Sequence, residues 1–133
     1  MDGRGEVLMG LIRKWQATLR IQDWCITLAE EQPDRDNNGD VWMKGDKMVA
    51  TIAIDSRIAP EHRELIILHE CLEVLTREYA ALLYEAIDND IPESMRPVYK
   101  KRADEAQHRI IYRLESALLP DNPRPFDMVK CRE

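Results

Sequence analysis

Apolar residues recur at two different spacings along this chain, and each spacing predicts an element. Val7, Leu8, Leu11, Ile12, Trp15 and Leu19 fall on one face at helical steps, which predicts an amphipathic helix over residues 6–19. In Asp23-Trp24-Cys25-Ile26-Thr27-Leu28 the period drops to two, with Trp24, Ile26 and Leu28 on one side of a strand. The polar stretch 30–40, with Pro33 and Gly39, predicts a loop. Residues 41–43 and 48–55 then flank Lys44-Gly45-Asp46-Lys47, a strand–turn–strand pattern in which the glycine and aspartate are expected to take the unusual turn angles. The second of these strands has Ala50, Ile52 and Ile54 on one face.

Pro60 suits the first turn of a helix, and that helix is expected to run unbroken into the region 82–87. A loop through Asp88, Asn89, Asp90 and Pro92 precedes a last helix, which starts near 94–97 and ends by Leu119. Residues 120–133 carry three prolines and predict an extended tail beyond a single domain spanning 1–119. Helix, three strands and two helices make an α+β domain, with a small, mostly antiparallel three-stranded sheet packed with three helices.

Composition narrows the class. A length of 133 residues suits one core, and the formal charge of −6 argues against a general nucleic-acid or acidic-membrane binder. Lys100, Lys101 and Arg102 form the densest basic run, which is expected to be a solvated helix start. No apolar run approaches the roughly 20 residues that span a bilayer, and Met1 to Gly5 has no leader character. Cys25, Cys71 and Cys131 are odd in number and irregular in spacing, so no disulfide framework is expected. Together these place the chain in a reducing cytoplasm, of a bacterium or an infected host cell.

The chemistry concentrates in Leu65-Ile-Ile-Leu-His69-Glu70-Cys-Leu-Glu73-Val-Leu75. Eight of these eleven residues are apolar and they cover nearly every face, so the helix is expected to be buried on several sides. Buried carboxylates are costly unless something compensates them, and a cation would compensate Glu70 and Glu73 while using His69. His69 and Glu73, at i and i+4, lie one turn apart on one face and can share one ion. Glu70 lies about 100° round the helix, where it can act as a base without being a ligand. This is the logic of H-E-x-x-H, written here H-E-x-x-E, and glutamate is an accepted zinc ligand. The competing reading has the carboxylates reaching solvent or pairing with Arg63 and Arg77.

A third ligand must come from elsewhere. His62 sits roughly 10 Å along the same helix from His69, too far to share an ion. His108 flanks the apolar stripe Ala103, Ala106, Ile110, Leu114 and Ala117 of the last helix and is the better candidate. Asp104, Glu105 and Glu115 stand as alternatives. Asp34, Asp36, Asn38 and Gly39 echo the opening of a calcium loop. The twelfth position there is Gly45 rather than a bidentate glutamate, so a solvated loop and no Ca²⁺ are expected.

Four features together resemble a family of short phage- and prophage-encoded zincin-like metallopeptidases, distantly similar to SprT-like proteins. They are Trp15-Gln-Ala-Thr-Leu19 closing the first helix, Asp23-Trp24 opening a strand, Ala50-Thr-Ile-Ala-Ile54, and Leu68-His-Glu-Cys-Leu72. The resemblance covers about 6–118, and only the last feature is chemically specific. Members of that family carry H-E-x-x-H and a glutamate on the last helix. Here Glu73 ends the motif and His108 falls near the place of that glutamate, as if two ligands had exchanged. The resemblance implies Zn²⁺ held by His69, Glu73 and His108, with Glu70 as general base. It further implies hydrolysis of a peptide or protein substrate by a metal-activated water. Two more expectations accompany that mechanism: an extended peptide added to the edge of strand 49–54, and Tyr112, one turn after His108, donating to the oxyanion. The departure from H-E-x-x-H carries the alternative of a catalytically inactive binding or regulatory protein with the same fold.

Overall fold

The computed structural model describes residues 3–34 and 36–121. The elements are α1 (Gly3–Leu19), β1 (Cys25–Leu28), β2 (Gly39–Lys44), β3 (Val49–Ile54), α2 (Pro60–Leu75), α3 (Arg77–Asp90) and α4 (Arg96–Leu118), with short 3-10 turns at Gly45–Lys47 and Glu93–Met95. The class is α+β, as expected. The tail predicted over 120–133 falls, from residue 122 onward, outside the described residues, as does Cys131. Among the described residues no helix is long and apolar enough to cross a membrane.

The periodicities account for the core. Leu8, Ile12 and Trp15 of α1 meet Ile26 of β1 and Ala50, Ile52 and Ile54 of β3, while α2 adds Ile66, Ile67, Leu68, Cys71, Leu72 and Val74. Every residue of α2 from Leu65 to Leu72 is buried, His69 and Glu70 included. Burial pushes the Cys71 thiol up to about 12, with the neighbouring Glu70 charge adding to it. The thiol therefore stays protonated and packs as a small apolar group.

Several expectations are corrected. The helix opened by Pro60 does not run on to 82–87 but breaks at Thr76 (φ −89°, ψ 0°). The Thr76 hydroxyl donates back to the Leu72 carbonyl at 2.9 Å and accepts from Gln107 Nε2 at 2.8 Å, while α3 starts afresh with Ala80 N–H donating to the Thr76 carbonyl. Threonine back-bonding of this kind bends helices, and the contact with α4 holds the bend. The described residues consequently hold four α-helices, not three, and α3 reaches Asp90 through part of the expected loop.

The sheet is mixed rather than mostly antiparallel. Its order is β1-β3-β2, with β1 parallel to β3 (Cys25↔Val49 to Leu28↔Ile52) and β2 antiparallel to β3 (Gly39↔Ile54 to Lys44↔Val49). The long segment between Leu28 and Gly39 carries the chain past the place where a tight turn would have paired β1 with β2. β3 is thus central and bonded on both sides, so it has no edge to offer a peptide. The edges belong to β1 and β2. In the turn between β2 and β3 the left-handed residue is Met48 (φ 53°, ψ 48°), not Gly45 or Asp46. The Met48 carbonyl accepts from Cys25 N–H at 2.9 Å, which ties this turn to the start of β1.

Gly39 has a packing role. A Cβ there would stand 2.7 Å from Ile66 Cγ2, 3.1 Å from the Ala53 carbonyl oxygen and 3.2 Å from Glu70 Oε1. Its absence lets the backbone of β2 lie directly on α2 beside Glu70. Gly39→Ala is expected to cost about 1–3 kcal/mol of stability by overpacking, measured as a lowered urea midpoint with an unchanged m-value.

Candidate metal centre

Three side chains converge where α2 crosses α4. His69 and Glu73 project from one face of α2, with His69 Nε2 3.8 Å from Glu73 Oε1. α4 brings His108 Nε2 to 3.2 Å from the same oxygen. One ligand atom from each of the three lies within 4.8 Å of the others. A tetrahedral zinc with bonds near 2.0–2.1 Å separates its ligand atoms by about 3.3 Å, so small side-chain adjustments would close the set on one ion. Among the described residues these are the His, Cys, Asp and Glu side chains that gather in this way.

Both imidazoles are oriented by their other nitrogen. His69 Nδ1 lies 2.6 Å from Glu115 Oε2, a pair with both side chains buried. His108 Nδ1 donates to the Asp104 carbonyl, one turn back on α4, at 2.9 Å. A carbonyl can only accept, so His108 Nδ1 carries a proton, and the Nε2 of each ring faces Glu73. An imidazole anchored through Nδ1 and presenting Nε2 is how proteins hold a metal-ligating histidine.

The electrostatics of the cluster centre on Glu73. Burial pushes the Glu73 carboxyl up, but hydrogen bonds from His108 and Glu70 and the charges of both imidazoles outweigh it and bring it to about 2. The hydrogen bond to Glu73 raises His108 to about 9; burial opposes this, and the Asp104 carbonyl and carboxylate support it. The His108 imidazolium thus balances the Glu73 carboxylate, and a cation held by the same side chains would compete with the His108 proton.

The remaining candidates are distributed around this centre. Glu70 is 2% exposed on the next face of α2 and hydrogen-bonds Glu73. The Tyr112 ring lies 5.8 Å from that of His69 and 6.1 Å from that of His108, centroid to centroid. Arg63 donates to the Ile58 carbonyl, so it serves the start of α2 and not the acidic pair. Lys100 pairs with Asp88 at 2.8 Å on the exposed side of α4. In the segment before β2, the Asp40 carboxylate accepts from the Asp34 backbone and the Asn37 amide, both at 2.7 Å, and the Asn38 carbonyl accepts from Asp55 N–H. Hydrogen bonds to Asp40 of β2 and to Asp55 after β3 hold that loop.

Glu115 is the residue whose role the sequence did not reveal. As a candidate ligand it was an alternative to His108; in the fold it grips His69 instead. It stands two turns after His108 on the same side of α4, next to buried Ile111, and that lone acid on an apolar flank was the available signal. Glu115→Gln is expected to weaken zinc binding by about 10–100-fold without unfolding the chain, measured by competition with a chromophoric chelator.

Compared with known proteins, the chain matches no protein-family model, no curated protein and no solved structure.

Proposed function

We propose that the chain is a zinc-dependent metallopeptidase with a zincin-like arrangement, in which His69, Glu73 and His108 hold the ion and Glu70 is the general base. The convergence of both Nδ1-anchored imidazoles on Glu73, with Glu70 buried beside them, carries this reading. Two imidazoles and one carboxylate form a donor set that fits zinc and leaves a fourth position open. When bound, the ion supplies Lewis acidity that polarises a peptide carbonyl and lowers the pKa of water toward about 7.

The chain's own residues do the rest. Glu70 takes the proton of the attacking water and delivers it to the departing amine. Glu115 and Asp104 keep the two imidazoles in one tautomer and one orientation. Tyr112, whose ring packs beside both imidazoles, donates to the developing oxyanion in this reading. The outer edge of β2 offers main-chain groups to an extended peptide, and its Gly39 end lies against Glu70. The substrate class is therefore an unfolded or extended polypeptide segment.

The burial of His69 and Glu70 favours a second reading, a metal-holding binding protein that performs no hydrolysis, because substrate reaches this centre only past half-buried Glu73 and His108. Incubation of zinc-loaded protein with an unstructured casein separates the two. Cleavage that disappears on chelation and in Glu70→Gln supports the peptidase. A chain that holds one zinc and cleaves nothing overturns it in favour of the binding protein.

A further inference from the structure

The hairpin made by α3 and α4 carries a surface that the metal centre does not use. In α3 only Ile87 is buried, and in α4 only Ile111 and Glu115. Yet α3 exposes Tyr79 (71%), Leu82 (67%) and Leu83, and α4 exposes Tyr99 and Ile110. These are not scattered. By the 100° helical step, Tyr79, Leu82 and Leu83 share one face of α3, and Tyr99, Ala106 and Ile110 share one face of α4. The two faces meet on the same side of the hairpin. There Tyr79, Leu83, Ala103, Ala106 and Ile110 line a mostly apolar recess of about 130 Å³. An apolar cavity of about that size holds a group as large as benzene, so a side chain fits. His108, Tyr112 and Glu115 lie on the opposite face of α4.

The charges bordering this face are asymmetric. The outer flank of α3 carries Glu78 and Glu85, and the outer flank of α4 carries Arg102, Arg109 and Arg113; all five are exposed. Among the described residues none of the five makes an ion pair within the chain. The two helices run antiparallel, with Asp88 beside Lys100 and Thr76 beside Gln107. In that register Glu85 stands level with Arg102, and Glu78 with Arg109, but on opposite flanks of the hairpin, where they cannot meet.

We infer that a second copy of this chain covers this face, forming an antiparallel four-helix bundle from two α3–α4 hairpins. A two-fold axis parallel to the helices lays α3 of one copy over α4 of the other without shifting the levels. Glu85 then faces Arg102, and Glu78 faces Arg109, along both seams. The apolar face closes between them, each recess receiving a side chain of the other copy. A two-helix face about 20 Å long and about 20 Å wide gives each copy on the order of 400 Å² before side-chain relief. With that relief the pair approaches the ~1,000 Å² that a specific interface requires. An interface at this lower limit suits a reversible dimer, and it leaves the metal centres facing outward. This inference is independent of the metallopeptidase reading.

Sedimentation velocity of the full chain across about 1–100 µM tests it. The wild type is expected to shift from monomer to dimer over that range. Glu78→Arg/Glu85→Arg and Arg102→Glu/Arg109→Glu each set like charges along both seams and are expected to weaken association at least about tenfold. An equimolar mixture of these two variants restores opposite charges on both seams and is expected to dimerise again, which also shows that both are folded. A wild type that stays monomeric overturns the inference. So does a dimer indifferent to either pair of substitutions, or a mixture that fails to associate.

Discussion

Replacing His69 with alanine is expected to abolish stoichiometric zinc uptake and with it the stabilisation that zinc confers. The imidazole Nε2 is one of three protein donors, and structural zinc sites with four ligands bind with about 10–16 kcal/mol, or roughly 3 kcal/mol for each ligand. Losing one donor therefore weakens binding by at least about 100-fold. His108→Ala removes the second imidazole and is expected to do the same. For the wild type, free zinc at a thousand times its dissociation constant adds about 4 kcal/mol to folding stability, which raises Tm on the order of 10–15 °C for a domain of this size. Zinc uptake must also displace the His108 proton at any pH below about 9, so affinity weakens as pH falls. Elemental analysis and thermal melts with and without chelator measure these effects. A wild type whose Tm ignores zinc would sink the metal centre altogether.

What the sequence made legible was local. Helix periodicity found α1 and α4 because their apolar stripes need only the chain's own 3.6-residue repeat. The pairing of His69 with Glu73 was legible for the same reason, since i and i+4 are neighbours in any helix. His108 followed by scarcity, as one of only three histidines and the one not excluded by distance along α2. Features set by tertiary contact were not legible. Threonine is an ordinary occupant of a helix, and nothing at Thr76 announced a break that depends on Gln107, 31 residues away. The strand order depends on a segment that crosses rather than turns back, and its composition says only that it is a loop. Glu115 reaches His69 across 46 residues, so its role could not be told from that of any acid on an amphipathic helix.

The two uses of α4 bear on one another. The face holding Ile111, His108 and Glu115 is locked against α2, while Tyr99, Ala106 and Ile110 face away on the side shared with α3. Apart from Gln107, which ties α4 to the Thr76 break between α2 and α3, neither face draws on the side chains of the other. Substitutions at Glu78, Glu85, Arg102 and Arg109 should accordingly leave zinc stoichiometry unchanged, and substitutions at His69 should leave the self-association unchanged. Failure of one property alone then identifies which reading was wrong.

Glu70→Gln is expected to lower the rate of peptide hydrolysis by about 10²–10⁴-fold while leaving zinc content intact. The amide has nearly the shape of the carboxyl, so it fits the space that Gly39 leaves open between β2 and α2. What it loses is the capacity to accept a proton from the attacking water and to return it to the leaving amine. Because Glu70 is not one of the three converging ligands, the ion should bind at least as well; the substitution also removes one of two acids crowded at i and i+3. The effect belongs in kcat more than in KM, since an extended peptide on the edge of β2 is held by main-chain groups the substitution does not touch. Glu70→Ala separates the base from the packing, because it deletes both and should also lower the urea midpoint. Should Glu70→Gln cleave as fast as the wild type, the general base lies elsewhere. Should it lose zinc as His69→Ala does, Glu70 is itself a ligand and the roles assigned on α2 have to be exchanged.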